Sequence, residues 1–225
     1  MNYKIIGDIL PVVEIELNQD ESVICESGAM AWMSPNVEMK TTTNGGIGKM
    51  FGRMFSGDTL MQNKYTALNS RGVISFASCF PGNIKAFEIS AGNEMILQKS
   101  AFLASETGVE LSAYLSKKAS SGFFGGEGFI LQKVTGNGLV FVEIDGCLVE
   151  KELAADEEIL ISTGHLAAMS ATCKAEVRSV GGVKNMVLGG EGIFNSVVKG
   201  PGKVYLQTLT IENMAGRLIP FMPTK

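Results

Sequence analysis

One stretch of this chain is used more than once, and that repetition constrains the fold more than any other feature. From Asp20 the sequence reads DESVICESGAMAWMS, and from Asp156 it reads DEEILISTGHLAAMS. The two align without gaps. They are identical at Asp20/Asp156, Glu21/Glu157, Gly28/Gly164, Ala31/Ala167, Met33/Met169 and Ser34/Ser170. A third copy, NEMILQKSAFLAS, begins at Asn93. It keeps the Asx-Glu start and the apolar run Met95-Ile96-Leu97, and aligns Ser100 with Ser27 and Thr163. A repeated unit of this kind cannot bury its apolar face alone and must lean on its neighbours.

A second element comes after each copy. It reads SGDTLMQNKYTALNSRGVISFAS at 56–78, GGEGFILQKVTGNGLVFVE at 125–143 and GGEGIFNSVVKGPGKVYLQ at 189–207. Each has a glycine, an acid, a short run, a turn and then a β-branched or aromatic strand. The repeats span about 12–88, 89–148 and 149–215, inside a single domain over 1–225. The Asx-Glu pairs suit turns, in which an Asx side chain bonds nearby backbone N–H groups. Gly136-Asn137-Gly138 and Gly200-Pro201-Gly202 read as hairpin-like turns. Gly28 and Gly164 stand where a tight bend or a positive φ is expected. Long segments of helical period are scarce. The fold class is therefore mainly β with few short helices. The economical arrangement of the three units is one pseudo-threefold body around a shared core.

Composition removes several classes of function. Lys and Arg total 19 against 23 Asp and Glu, a net charge of −4. That is no footprint for neutralising phosphates, so nucleic acid is not an expected partner. The four cysteines, Cys25, Cys79, Cys147 and Cys173, are too widely spaced for a zinc ribbon or a CxxC redox pair. The opening MNYKIIGDILPVVEIE is interrupted by Asp8, Pro11, Glu14 and Glu16 and does not resemble a signal peptide. Reduced thiols in a soluble, cytoplasmic protein are expected.

Few residues invite chemistry. His165, the single histidine, aligns with Ala29 and Phe102, so its slot is not built for a ligand. Cys25 aligns with Ile161, an apolar strand position, and reads as a buried thiol. Gly45-Gly46 and Gly181-Gly182 fit no phosphate-loop pattern. Asp58, Glu127 and Glu191 each come after a glycine in their own unit. Brought together they could hold a hard cation, but the simpler reading is that each accepts hydrogen bonds from its own turn. The segment 47–55 is different. Ile47, Met50, Phe51, Met54 and Phe55 recur at i, i+3, i+4, i+7 and i+8, with Lys49 and Arg53 on other faces. That spacing predicts a short amphipathic helix. Its counterparts, GFFGG at 122–126 and MVLGG at 186–190, are too short and glycine-rich to form one. The helix either caps the core or offers a soft Met/Phe surface to a partner or a membrane.

The stretch 45–89 carries a family resemblance. Gly45-Gly46, the apolar-basic segment through Arg53, Ser56-Gly57-Asp58 and Pro81-Gly82-Asn83-Ile84 together resemble the AIM24 (DUF124) family. Asp58-Thr59 stands where that family commonly has Glu-Ser. The resemblance covers nearly the whole chain. It implies a TRAP-like fold of the double-stranded β-helix kind, in a bacterial or archaeal cytosolic protein, with mitochondrial relatives linked to inner-membrane organisation. It transfers no catalytic residues and no cofactor, and likeness to TRAP at the level of fold transfers no RNA or tryptophan binding. Three functions of different class are then in view. The first is a non-enzymatic binding or scaffold protein, homo-oligomeric, acting through 47–55 on a protein or membrane surface. The second is a small-ligand or ion-binding β barrel. The third is an enzyme, for which no nucleophile–base pair or metal-ligand set can be assembled.

Overall fold

The computed structural model describes residues 1–42, 62–117, 129–179 and 194–222. It is mainly β, as expected. The first third holds β1 (Asn2–Ile6), β2 (Val12–Leu17), β3 (Ser22–Glu26), β4 (Met30–Met33), β5 (Val37–Thr42), β6 (Gln62–Ala67) and β7 (Gly72–Ala77). The middle holds β8 (Gly82–Ile89), β9 (Met95–Gln98), β10 (Phe102–Glu106), β11 (Val109–Lys117), β12 (Phe129–Gly136) and β13 (Gly138–Asp145). The last third holds β14 (Leu148–Leu153), β15 (Glu158–Ser162), β16 (Leu166–Ser170), β17 (Lys174–Ser179), β18 (Phe194–Lys199) and β19 (Gly202–Gln207). Beyond β19 lies a single α-helix among the described residues, α1 (Ile211–Leu218).

Alternation drives these strands. In β2, VVEIEL, the side chains of Val13, Ile15 and Leu17 are fully buried while those between them are half-exposed. Successive residues point to opposite faces, so a period of two buries one face only.

The pairing has a simple plan. The sheets run β1-β2-β7-β4, then β5-β6-β3-β10-β13-β8, then β11-β12-β9-β16-β19-β14, and finally β15-β18-β17. All pairs are antiparallel. Each six-stranded sheet thus joins three strands from one third of the chain to three from the next. Among the described residues, buried side chains gather in three clusters rather than in the one shared core that the repeats suggested. One includes Ile15, Phe76 and Phe141, the second Leu97, Phe102 and Ile144, and the third Leu131, Leu166 and Val204.

Three local expectations are corrected. First, the glycine-flanked turns do not close hairpins. β12 and β13 are consecutive in sequence but lie in different sheets, as do β18 and β19. Asn137 is a crossing point between layers. A Cβ on Gly136, at φ +96°, would stand 2.1 Å from the Gly108 carbonyl oxygen, so this crossing needs glycine. Second, the Glu rather than the Asx of the turn makes the bond in the first and last copies. Asn18 N–H donates to Glu21 Oε2 at 2.8 Å, and Ala154 N–H donates to Glu157 Oε2 at 2.8 Å. Third, the middle copy is offset by one residue. The turn bond Glu21 N–H to Asn18 O is matched by Asn93 N–H to Ser90 O and by Glu157 N–H to Ala154 O. Asn93 therefore occupies the place of Glu21, not of Asp20.

Candidate functional site

The sequence candidates Ile47, Met50, Phe51, Met54, Phe55, Asp58, Glu127 and Glu191 all lie outside the described residues. Among the described residues no group of three His, Cys, Asp or Glu side chains is placed to hold a metal ion. His165 Nδ1 lies 2.7 Å from the backbone oxygen of Gln207. A carbonyl only accepts, so Nδ1 carries the proton and the ring serves as a brace. Its place in the middle repeat is taken by Ala101, not Phe102, because Lys99–Ala101 and Thr163–His165 form the same 3-10 turn ahead of β10 and β16. Cys25 is fully buried, and burial, with the charge of Glu26 as a smaller cause, pushes its thiol up to about 12. It is not a nucleophile at neutral pH.

The structure assembles a polar cluster that the sequence did not announce. Gln207, at the end of β19, is buried. Its Oε1 accepts the Asp145 N–H at 3.1 Å, and its Nε2 donates to the Gly164 carbonyl at 2.8 Å. Thr208 Oγ1 accepts the Cys147 N–H at 2.8 Å, and Leu209 N–H donates to the Asp145 carbonyl at 3.1 Å. The Asp145 side chain is desolvated here. Burial first, then the charge of Glu212, raises its carboxyl to about 6. Glu143, two residues earlier on the same face of β13, is also raised, by burial and then by Asp145. Glu143 Oε1 accepts the Cys79 N–H at 3.2 Å. The polar backbone groups of this cluster are used internally, and the result is an anchor for the helix beyond β19.

That helix, α1, is capped by Thr210, which is buried and whose Oγ1 accepts the Asn213 N–H at 3.2 Å. No residue of the helix is buried. Ile211, Leu218, Ile219, Phe221 and Met222 are all exposed, Phe221 at 88%. The segment TIENMAGRL did hold a signal, a Thr cap ahead of Ile211, Met214, Ala215 and Leu218 at helical spacing. Its shortness beside so many strands hid it.

One open groove of about 620 Å³ is lined by Glu152, Ala154, Glu157, Thr172 and Pro201, among others. Glu157 already takes up the Ala154 N–H there. The groove is a dent at the mouth of the β14–β15 turn, not an enclosed cavity.

Residues 3–209 match the family profile described as mitochondrial biogenesis AIM24. The chain is 29% identical to an uncharacterized protein, M6_Spy0233, of Streptococcus pyogenes serotype M6, over 95% of this chain and 88% of that one. It superposes on the crystal structure of protein SPYM3_0169 from Streptococcus pyogenes with a TM-score of 0.82 at 24% identity, covering 98% of this chain and 99% of the other. At that identity the superposition speaks for the fold alone.

Proposed function

The chain belongs to the AIM24 family, and from that premise we propose that it works as a non-enzymatic binding or scaffold protein whose working surface is apolar. The observation that carries this reading is α1. A capped helix with no buried residue is held at the end of a buried polar cluster and leaves Ile211 and Leu218 exposed, with Ile219, Phe221 and Met222 exposed just beyond it. A contiguous apolar surface left in water marks a contact site. The 47–55 segment lies outside the described residues, and its sequence, with Met and Phe at helical spacing, makes it the second candidate in this reading. A cytoplasmic setting fits the unpaired thiols, of which Cys79 and Cys147 are exposed. No helix among the described residues is long and apolar enough to cross a membrane. The contact in this reading is with a protein or with the face of a membrane.

A second reading, a small-ligand or ion-binding β protein, draws on the groove beside Glu157 and on Asp58, Glu127 and Glu191. The groove's openness favours it less than the exposed helix favours the first reading.

The test compares the parent with Leu218→Glu/Phe221→Glu. Both are tracked by co-sedimentation with phosphatidylcholine/phosphatidylglycerol vesicles and by affinity capture from host extract. The parent should bind in one of the two, and the variant should lose that binding while keeping its β circular dichroism. A variant that behaves like the parent in both assays overturns the reading.

A further inference from the structure

Among the described residues the pairing plan contains two junctions between thirds of the chain, and they are the same junction. At the first, β10 pairs with β3, with Ala104 opposite Cys25, Ser105 opposite Ile24 and Glu106 opposite Val23. At the second, β16 pairs with β9, with Ala168 opposite Leu97, Met169 opposite Ile96 and Ser170 opposite Met95. The strand before a 3-10 turn or bend in one third joins the strand after it in the next. Each joining strand is thus held on both sides. β10 also pairs with β13 and β16 with β19, while β3 also pairs with β6 and β9 with β12.

Two strands of this kind have only one partner among the described residues. β4, the counterpart of β10 and β16, pairs only with β7, and β15, the counterpart of β3 and β9, pairs only with β18. β4 also has the same bulge, between Met30 and Trp32, that β10 has between Phe102 and Ala104 and β16 between Leu166 and Ala168. The bulge fixes the correspondence of residues. Trp32 stands where Ala104 and Ala168 stand, Met33 where Ser105 and Met169 stand, and Leu160 where Ile24 and Ile96 stand.

Exposure separates the satisfied junctions from the unsatisfied one. Ala104, Ser105, Ala168, Met169 and Ile96 are buried, and Ile24 is half-buried. Trp32 is 50% exposed, Met33 37% and Leu160 62%. Large apolar side chains stand in water at the positions that both internal junctions use for contact. An unpaired edge lined with such residues is a template for strand addition.

We propose that β4 of one copy pairs with β15 of a second copy, antiparallel, with Trp32 opposite Ile161 and Met33 opposite Leu160. The two incomplete sheets, β15-β18-β17 and β1-β2-β7-β4, then join into one with the same junction as those inside the chain. The two surfaces differ, so the contact is head-to-tail and propagates into a ring or a filament. This names the partner for the scaffold reading and rests on it only in taking the chain to be an assembling protein. It makes no use of α1.

The test uses the full chain and two edge-blocked variants, Trp32→Glu and Leu160→Glu. Both positions are exposed, so the fold should survive, as checked by circular dichroism. In sedimentation velocity the parent should run as a multimer at tens of micromolar, and each variant alone should run at monomer mass. Mixed in equal amounts, the two variants should give a dimer, because Trp32→Glu retains an intact β15 and Leu160→Glu an intact β4. A parent that stays monomeric, or variants that stay multimeric, overturns the proposal, as does a mixture that stays monomeric. Should a variant fail to fold, Met33→Cys/Leu160→Cys decides instead. Oxidation should yield disulfide-linked ladders of the chain. If mass spectrometry finds no disulfide joining position 33 of one copy to position 160 of another, the proposal is overturned. Vesicle or extract binding lost in Leu218→Glu/Phe221→Glu without any change in sedimentation separates the two proposals.

Discussion

Gln207 Oε1 accepts the backbone N–H of Asp145 at 3.1 Å, across the gap between β19 and the end of β13. The same side-chain amide donates to Gly164 O at 2.8 Å. Gln207→Leu keeps the volume roughly but leaves the buried Asp145 N–H and the half-buried Gly164 carbonyl without partners. A fully buried orphan costs about 1–3 kcal/mol, and a half-buried one less. The variant should lose about 2–4 kcal/mol in urea unfolding, with an unchanged slope. A loss near zero would mean that water reaches the cluster.

Stability should fall as pH rises through the titration of Asp145. Its ordinary value is 3.8, and burial, then the charge of Glu212, raises it to about 6 in the folded state. An acid of this kind holds its proton more tightly when folded. The stabilisation is complete below the ordinary value and is lost by the time pH passes about 6. The rise corresponds to at most about 3 kcal/mol, less whatever solvent screening removes. Glu143, raised by burial, acts in the same direction. Urea midpoints measured from pH 4 to 8 should therefore decline over that span, and Asp145→Asn should flatten the decline and be the more stable form at pH 7.5. Stability that instead climbs between pH 5 and 7 in the parent would count against a desolvated Asp145.

The four thiols should separate into two classes. Cys25 and Cys173 are buried and Cys79 and Cys147 exposed, all unpaired. Burial raises Cys25, Cys79 and Cys173. Iodoacetamide at pH 8 should label Cys147 first and Cys79 more slowly. Cys25 and Cys173 should react only after denaturation, when all four are counted. Early labelling of Cys25, read by peptide mass spectrometry, would contradict its burial.

Two glycines with positive φ should respond unequally to alanine. Gly28 (φ +91°) has no atom within 4 Å of an added Cβ, whereas at Gly136 (φ +96°) the Cβ meets the Gly108 oxygen at 2.1 Å. Gly28→Ala should cost about 1–2 kcal/mol, the backbone cost alone. Gly136→Ala should cost more than Gly28→Ala, because the Asn137 N–H to Gly108 O bond at 2.9 Å must give way. Equal midpoints in thermal unfolding would show that the crossing at Asn137 relaxes freely.

The β character and the places where strands begin are set by local sequence. Alternation in VVEIEL, the β-branched run LVFVEI and the recurring turn Glu residues act over a few residues, and local chemistry of that range is written in order along the chain. The positive φ at Gly28 and the burial of Cys25 were legible for the same reason. What Gly136-Asn137-Gly138 does was not legible. A tight turn looks alike whether its strands pair with each other or leave for different sheets, and only the partners, β9 and β11 for β12 and β8 and β10 for β13, decide it. The one-residue offset of Asn93 was likewise set by its pairing and not by its letters. The raised Asp145 and the meeting of Met33-type and Leu160-type positions at each junction join residues more than fifty apart in the chain. Desolvation and strand pairing depend on what surrounds a side chain in space, and that neighbourhood exists only once the sheets have stacked.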